Sequence, residues 1–169
     1  WTTGIYYMTS GDFDADGVDE ICTAAWDYGT GPFILRLRII KNTDTSTMKN
    51  SPTYTVVADR TMTEIVCNED LPWQWDNYSR HGMSITSGDI DGNGESEIII
   101  ACGYSLYLLS GSSGGYSLIE TITYPGYTPP PMWGMPAPII KTACGDINCD
   151  SMDELVVVQN NSYTGDGVY

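Results

Sequence analysis

The segment GDFDADGVDEI that begins at Gly11 recurs as GDIDGNGESEI from Gly88 and as GDINCDSMDEL from Gly145. Counted from its first acid, each copy keeps an oxygen-bearing side chain at positions one, three, five and nine. These are Asp12, Asp14, Asp16 and Glu20, then Asp89, Asp91, Asn93 and Glu97, then Asp146, Asn148, Asp150 and Glu154. Carboxylates crowded into one short loop repel one another, so such a loop is unfavourable until something neutralises it. A hard dication does this, and calcium takes roughly six to eight oxygens in tolerant geometry. Glycine at position six (Gly17, Gly94) permits the sharp curl that lets alternate side chains converge on one ion. Ser151 stands there in the third copy, which therefore departs most from the pattern.

A helix-flanked calcium loop of the EF-hand kind ends in a bidentate Glu at its twelfth position. Here the twelfth positions are Thr23, Ile100 and Val157, which cannot serve. The runs that follow, EICTAA, EIIIAC and ELVVVQ, are short, apolar and β-branched, and they predict strands. Each loop is thus expected to turn a β-hairpin, with its position-nine ligand at the start of the second strand. Solvated Asp/Gly turns are common between strands for conformational reasons alone. Three copies, each with Gly before the first acid and Ile or Leu at position ten, point instead to a shared ligand.

The three loops resemble the calcium loops of FG-GAP/VCBS-type repeats, which build β-propellers in integrin α subunits, in some lectins and in certain extracellular polysaccharide lyases. The resemblance implies a loop joining the first two strands of a four-stranded blade. It makes the twelve residues named above side-chain ligands and adds backbone carbonyls at position seven, from Val18, Glu95 and Met152. It implies about three structural calcium ions.

The rest of the chain divides accordingly. GIYYMTS, EICTAAW, FILRLRII and TYTVVAD predict one four-stranded antiparallel blade, and GMSITSG, EIIIACG, SLYLLSG and YSLIETITY a second. PIIKTACG and ELVVVQ open a third, after which NNSYTGDGVY is expected to run out before further strands. The reading is all-β: one partial β-propeller over 1–169, about two and a half blades, at 1–66, 82–126 and 138–169, with insertions at 67–82 and 124–138. Propellers commonly need four to eight blades. The missing ones are expected in the same or a neighbouring chain, and a chain starting at Trp1 without Met reads as processed or partial.

Formal net charge is -15, and ten of the 22 acidic residues occupy proposed ligand positions, so the acidity is largely a property of the loops. Seven basic residues cannot supply the clustered positive patch that nucleic acid requires. No run is long enough to span a bilayer, and no signal-peptide pattern is present. The cysteines, Cys22, Cys67, Cys102, Cys144 and Cys149, lack zinc-site spacing, and a bridge involving Cys144 or Cys149 is expected to stiffen the third loop. Their odd number leaves one thiol free or paired elsewhere. Disulfides and modest-affinity calcium sites both suit an extracellular or cell-surface location. Asn77 and Asn160 head N-glycosylation patterns and agree with it.

No catalytic residue is assigned. The lone His81 beside Arg80 is more ordinary as a surface or packing group than as a base, and there is no nucleophile elbow or phosphate loop. The insertions hold Trp73, Trp75, Tyr78 and Trp133, rings suited to stacking on a glycan or anchoring a protein partner, or to pinning down their own loops. The function expected is an extracellular, calcium-stabilised module for binding, adhesion or assembly. The alternatives are an accessory part of a secreted polysaccharide lyase or other carbohydrate-active enzyme, and a structural subunit of an extracellular polymer.

Overall fold

The structure, a computed structural model, describes residues 6–27, 34–43, 53–65, 83–102, 105–112, 115–123, 139–160 and 167–168. Among them all regular structure is β. Strands β1 (Tyr6–Gly11), β2 (Glu20–Asp27), β3 (Ile34–Asn42) and β4 (Tyr54–Met62) form one antiparallel sheet in chain order. Strands β5 (Ser84–Gly88), β6 (Glu97–Cys102), β7 (Ser105–Ser112) and β8 (Gly115–Thr123) form the second in the same way. The third contains β9 (Ile139–Gly145), β10 (Glu154–Asn160) and β11 (Gly167–Val168). None of the three sheets is closed.

Every acidic segment turns the first hairpin of its sheet. The closing pairs are Gly11 with Glu20, Gly88 with Glu97 and Gly145 with Glu154, so the glycine before position one always faces the position-nine glutamate. The tail differs from expectation, because β11 pairs with β10 through Val158 with Val168 and Gln159 with Gly167. Two residues are too few to display an alternating pattern, which is why the strand carried no signal.

Alternation explains how the sheets stack. Cys22 and Ala24 on β2, with Leu35, Leu37 and Ile39 on β3, face the second sheet, where Ile98, Ile100, Tyr107 and Leu109 meet them. The intervening β6 residues Ile99 and Ala101, with Leu106, face the opposite way and pack on Val157, Leu155 and Cys144 of the third sheet. All six residues of β6 are buried. This accounts for the run IIIAC after Glu97 being continuously apolar, as suits a strand covered on both faces, whereas burial alternates along β2, with Cys22 and Ala24 buried and Ile21 exposed. A register shift recurs at matched places, between Ile39 and Ile40 and between Leu108 and Leu109, so the two four-stranded sheets share a local irregularity of the kind that increases twist.

The first strands lie side by side and are joined through small hydroxyl side chains. Thr9 Oγ1 is 2.8 Å from Ser87 Oγ, Ser87 Oγ donates to the Ser10 carbonyl at 2.7 Å, and the Thr142 amide donates to Ser84 Oγ at 3.2 Å. The acidic loops are joined as well. The Ser96 amide, at position eight of the second loop, donates to the Asp12 carbonyl at 2.8 Å, and the Asp153 amide, at position eight of the third, donates to the Asp89 carbonyl at 2.8 Å.

This contact requires the glycine before position one. A Cβ on Gly11 would lie 2.7 Å from Ser96 Oγ, and one on Gly88 would lie 2.5 Å from Asp153 Oδ2 and 2.7 Å from Cys144 Cβ. Gly88→Ala is accordingly expected to cost about 1–3 kcal/mol, since the neighbouring backbone must yield to accommodate overpacking. Denaturant unfolding of the variant checks this, and an unchanged midpoint would show that the second and third sheets do not pack as described.

The cysteines depart from expectation. Cys102 is disulfide-bonded, whereas Cys22, Cys144 and Cys149 are free thiols. Cys144 lies on β9 packed toward the second sheet, while Cys149 is exposed in the third loop, so neither bridges that loop. No described helix is long and apolar enough to cross a membrane.

Candidate metal centres

The three loops share one backbone design despite their different sequences. The position-one carboxylate accepts the amides of positions five and six: Asp16 and Gly17 on Asp12 at 3.0 and 2.7 Å, Asn93 and Gly94 on Asp89 at 3.0 and 2.9 Å, Asp150 and Ser151 on Asp146 at 3.1 and 3.0 Å. The position-nine glutamate reaches back to the amide of position two: Phe13 on Glu20 and Ile90 on Glu97 at 3.0 Å each, Ile147 on Glu154 at 2.8 Å. The position-five oxygen accepts the amide of position seven, from Val18, Glu95 and Met152 at 3.0, 2.6 and 2.9 Å. Those bonds wind the chain around its own acids and leave side-chain oxygens turned to the loop centre.

Such winding requires positive φ at two places in every loop. Position six has it at Gly17 (83°), Gly94 (90°) and Ser151 (71°), and position four at Ala15 (55°), Gly92 (74°) and Cys149 (62°). Glycine at position six was legible in the sequence, but the same demand at position four was not. Ala15 and Cys149 meet it against their own Cβ sterics.

Two clusters of acids result. One ligand oxygen from each of Asp12, Asp14 and Glu20 lies within 4.8 Å of the others, and the same holds for Asp89, Asp91 and Glu97. Glu20 and Glu97 are almost wholly buried, at 2% and 1% exposure, so each cluster has a desolvated carboxylate at its base. Burial pushes the Glu97 carboxyl above its ordinary pKa, opposed by the Ile90 amide that binds its charged form. Asp16 and Asn93 occupy position five beside these clusters, and Asn93 Nδ2 donates to Asp91 Oδ2 at 3.1 Å.

The third loop is more open. Its position three is Asn148, whose amide donates to Glu154 Oε1 at 2.5 Å and to Asp150 Oδ2 at 3.1 Å, and Glu154 is only half-buried. Among the described residues, two loops rather than three therefore gather a set of three acids.

The loops differ most in what meets the second oxygen of the position-nine glutamate. In the second loop Ser110 Oγ, on β7, donates to Glu97 Oε1 at 3.4 Å. In the first, Lys41 at the matching place on β3 sends its ammonium into the loop, 2.6 Å from Asp14 Oδ2, 2.5 Å from Asp16 Oδ2 and 3.3 Å from Glu20 Oε1. Glu20 Oε1 accepts no directed hydrogen bond there, so Lys41 offers it charge alone. The bonds to Asp14 and Asp16 raise the Lys41 pKa, and the Lys41 hydrogen bond lowers that of Asp16. Sequence reasoning missed Lys41 because only the β2–β3 register brings it to the loop.

Trp73, Trp75, Asn77, Tyr78, Arg80, His81 and Trp133 lie outside the described residues. Asn160 ends β10, paired with Ile139. No protein-family model, curated protein or solved structure matches the chain.

The free thiols report on these surroundings. Burial pushes the Cys22 thiol up to about 12 and the Cys144 thiol up to about 11, so both are poor nucleophiles near neutral pH. Cys149 is exposed at position four of the third loop. Alkylation of dilute native protein followed by peptide mapping is expected to label Cys149 first and Cys22 only after unfolding. Early labelling of Cys22 would contradict the packing between the first two sheets.

Proposed function

We propose that this chain is a calcium-stabilised β-propeller segment of the FG-GAP/VCBS kind, acting outside the cell in binding, adhesion or assembly. The observation that carries the calcium reading is the pair of matched carboxylate clusters, each with a buried glutamate at its base and each at the same turn of its sheet. Oxygen-only ligands, irregular geometry and a wound backbone suit calcium better than zinc or magnesium. The propeller reading is supported by consecutive four-stranded meanders stacked face to face with their first strands adjacent. An ion bound at such a turn ties the end of one strand to the start of the next, and binding confined to the folded state adds stability by mass action.

The strand directions put the three acidic loops at one end of the sheets. β1, β5 and β9 run toward the acidic loops and the next strands run away from them, so β4 and β8 finish, and β5 and β9 start, at the opposite end. The insertions 67–82 and 124–138, with Trp73, Trp75, Tyr78 and Trp133, connect those strand ends. On this reading, calcium supports the scaffold at the acidic loops, and a glycan or extracellular protein is engaged by the aromatic side chains of the insertions.

Titration calorimetry on chelator-stripped protein, read beside thermal melting, tests the proposal. Calcium is expected to enter the second loop before the first, because Lys41 already partly neutralises the latter. Melting temperature should rise as the sites fill. Absence of binding, or binding without stabilisation, would reduce the acidic loops to turns.

A further inference from the structure

Each interface between consecutive sheets is built from the same parts, and the two outer faces of the stack carry those parts with no partner among the described residues. On the side facing the next sheet, a sheet offers the glycine before position one, the position-one carbonyl and the position-two side chain. For the first two sheets these are engaged. Gly11 and Gly88 are buried, the Asp12 and Asp89 carbonyls accept the amides of Ser96 and Asp153, and Phe13 is buried with its ring 5.7 Å from that of Tyr116, while Ile90 packs into the second core. On the third sheet the same features are open. Gly145 is exposed with nothing within 4 Å of a Cβ placed on it, Ile147 is 72% exposed, and no described residue bonds the Asp146 carbonyl.

The first sheet carries the complementary set. Its position-eight residue Asp19 is exposed, whereas Ser96 is buried and Asp153 half-buried against the preceding loop. Met8 on β1 is 70% exposed and Ile21 on β2 is 38% exposed, although their counterparts by register, Ile85 and Ile98, are packed in the first core. Asp19 also has the chemistry of Asp153, whose Oδ2 accepts the Asp89 amide at 3.0 Å in the second interface.

We infer that the open face of the third sheet docks the open face of the first sheet of a second copy of this chain, head to tail, as the third sheet docks on the second. The second copy completes the third acidic loop: its Asp19 amide and carboxylate bond the Asp146 carbonyl and amide, as Asp153 bonds Asp89. Its Val18 also covers Cys149, as Met152 covers Gly92, where a Cβ would lie 3.0 Å from Met152 Cγ. The contact is heterologous, so it either closes a ring or extends an open series. It uses sheet faces and does not depend on which ion occupies the loops.

Two variants of the whole chain test this by light scattering coupled to gel filtration. Gly145→Val fills the open position on the third sheet, where a side chain meets nothing and φ is not in the left-handed region; Met8→Asp places a charge on the open face of the first. The wild type should associate increasingly with concentration. Each variant alone should be monomeric, with the wild-type monomer's melting temperature. Their mixture should form a one-to-one pair and no more, since each copy retains one functional face. A monomeric wild type at every concentration, association of either variant by itself, or a mixture that fails to pair overturns the inference. The first of those outcomes would assign the faces to a different occupant.

Discussion

Asp89→Ala is expected to lower stability far more in calcium than in chelator. In the metal-free protein the substitution removes two amide bonds to a carboxylate, those from Asn93 and Gly94. Bonds to a charged group contribute about 1.5–3 kcal/mol each when well shielded. Partial solvent access in this loop lowers the combined loss to roughly 2–3 kcal/mol. With calcium at a hundred times its dissociation constant, the wild type gains about 2.7 kcal/mol more by mass action, and a variant without its first ligand forfeits it. The difference between the two conditions therefore isolates the ion's share. Paired denaturant titrations of wild type and variant, with calcium and with chelator, measure it. An equal shift in both conditions would show that the second loop binds no ion that matters to folding.

The strand pattern was the most legible part of the fold. The runs after each acidic loop are strands where the β-branched sequences put them, although EICTAA and EIIIAC read alike in sequence and only burial separates a strand covered on alternate residues from one covered throughout. Local spacing also marked positions one, three, five and nine, and of these the structure gathers the acids at one, three and nine in the first two loops. What lay hidden depends on register or on distant segments. Ser110 and Lys41 meet their glutamates only through pairing of the second and third strands, and nothing in the sequence marks Lys41 out from other lysines. The glycine before position one was visible as a recurrent residue, but its cause is the neighbouring sheet pressing on it, as Asp153 presses on Gly88. Likewise the third loop was singled out for Ser151, yet Asn148 separates it more clearly, by supplying an amide donor where the other loops have a third acid.

Lys41→Met should convert the first loop from an internally neutralised turn into a cation site that resembles the second. Calcium–oxygen distances are about 2.3–2.6 Å, so an ammonium 2.6 Å from Asp14 and 2.5 Å from Asp16 competes for the space and charge that the ion would use. Its removal leaves Asp12, Asp14, Asp16 and the buried Glu20 without a neighbouring cation, a costly arrangement in the absence of metal. The variant is therefore expected to melt below wild type in chelator and to recover with added calcium. Affinity at the first loop should increase roughly tenfold or more, on the scale by which ligand charge tunes such sites. Lys41→Arg, which keeps the charge, should behave more like wild type. Calorimetry of all three proteins decides between the possibilities. Unchanged stoichiometry and affinity in Lys41→Met would mean that the ammonium does not compete for the site, and the difference between the first and second loops would need another cause.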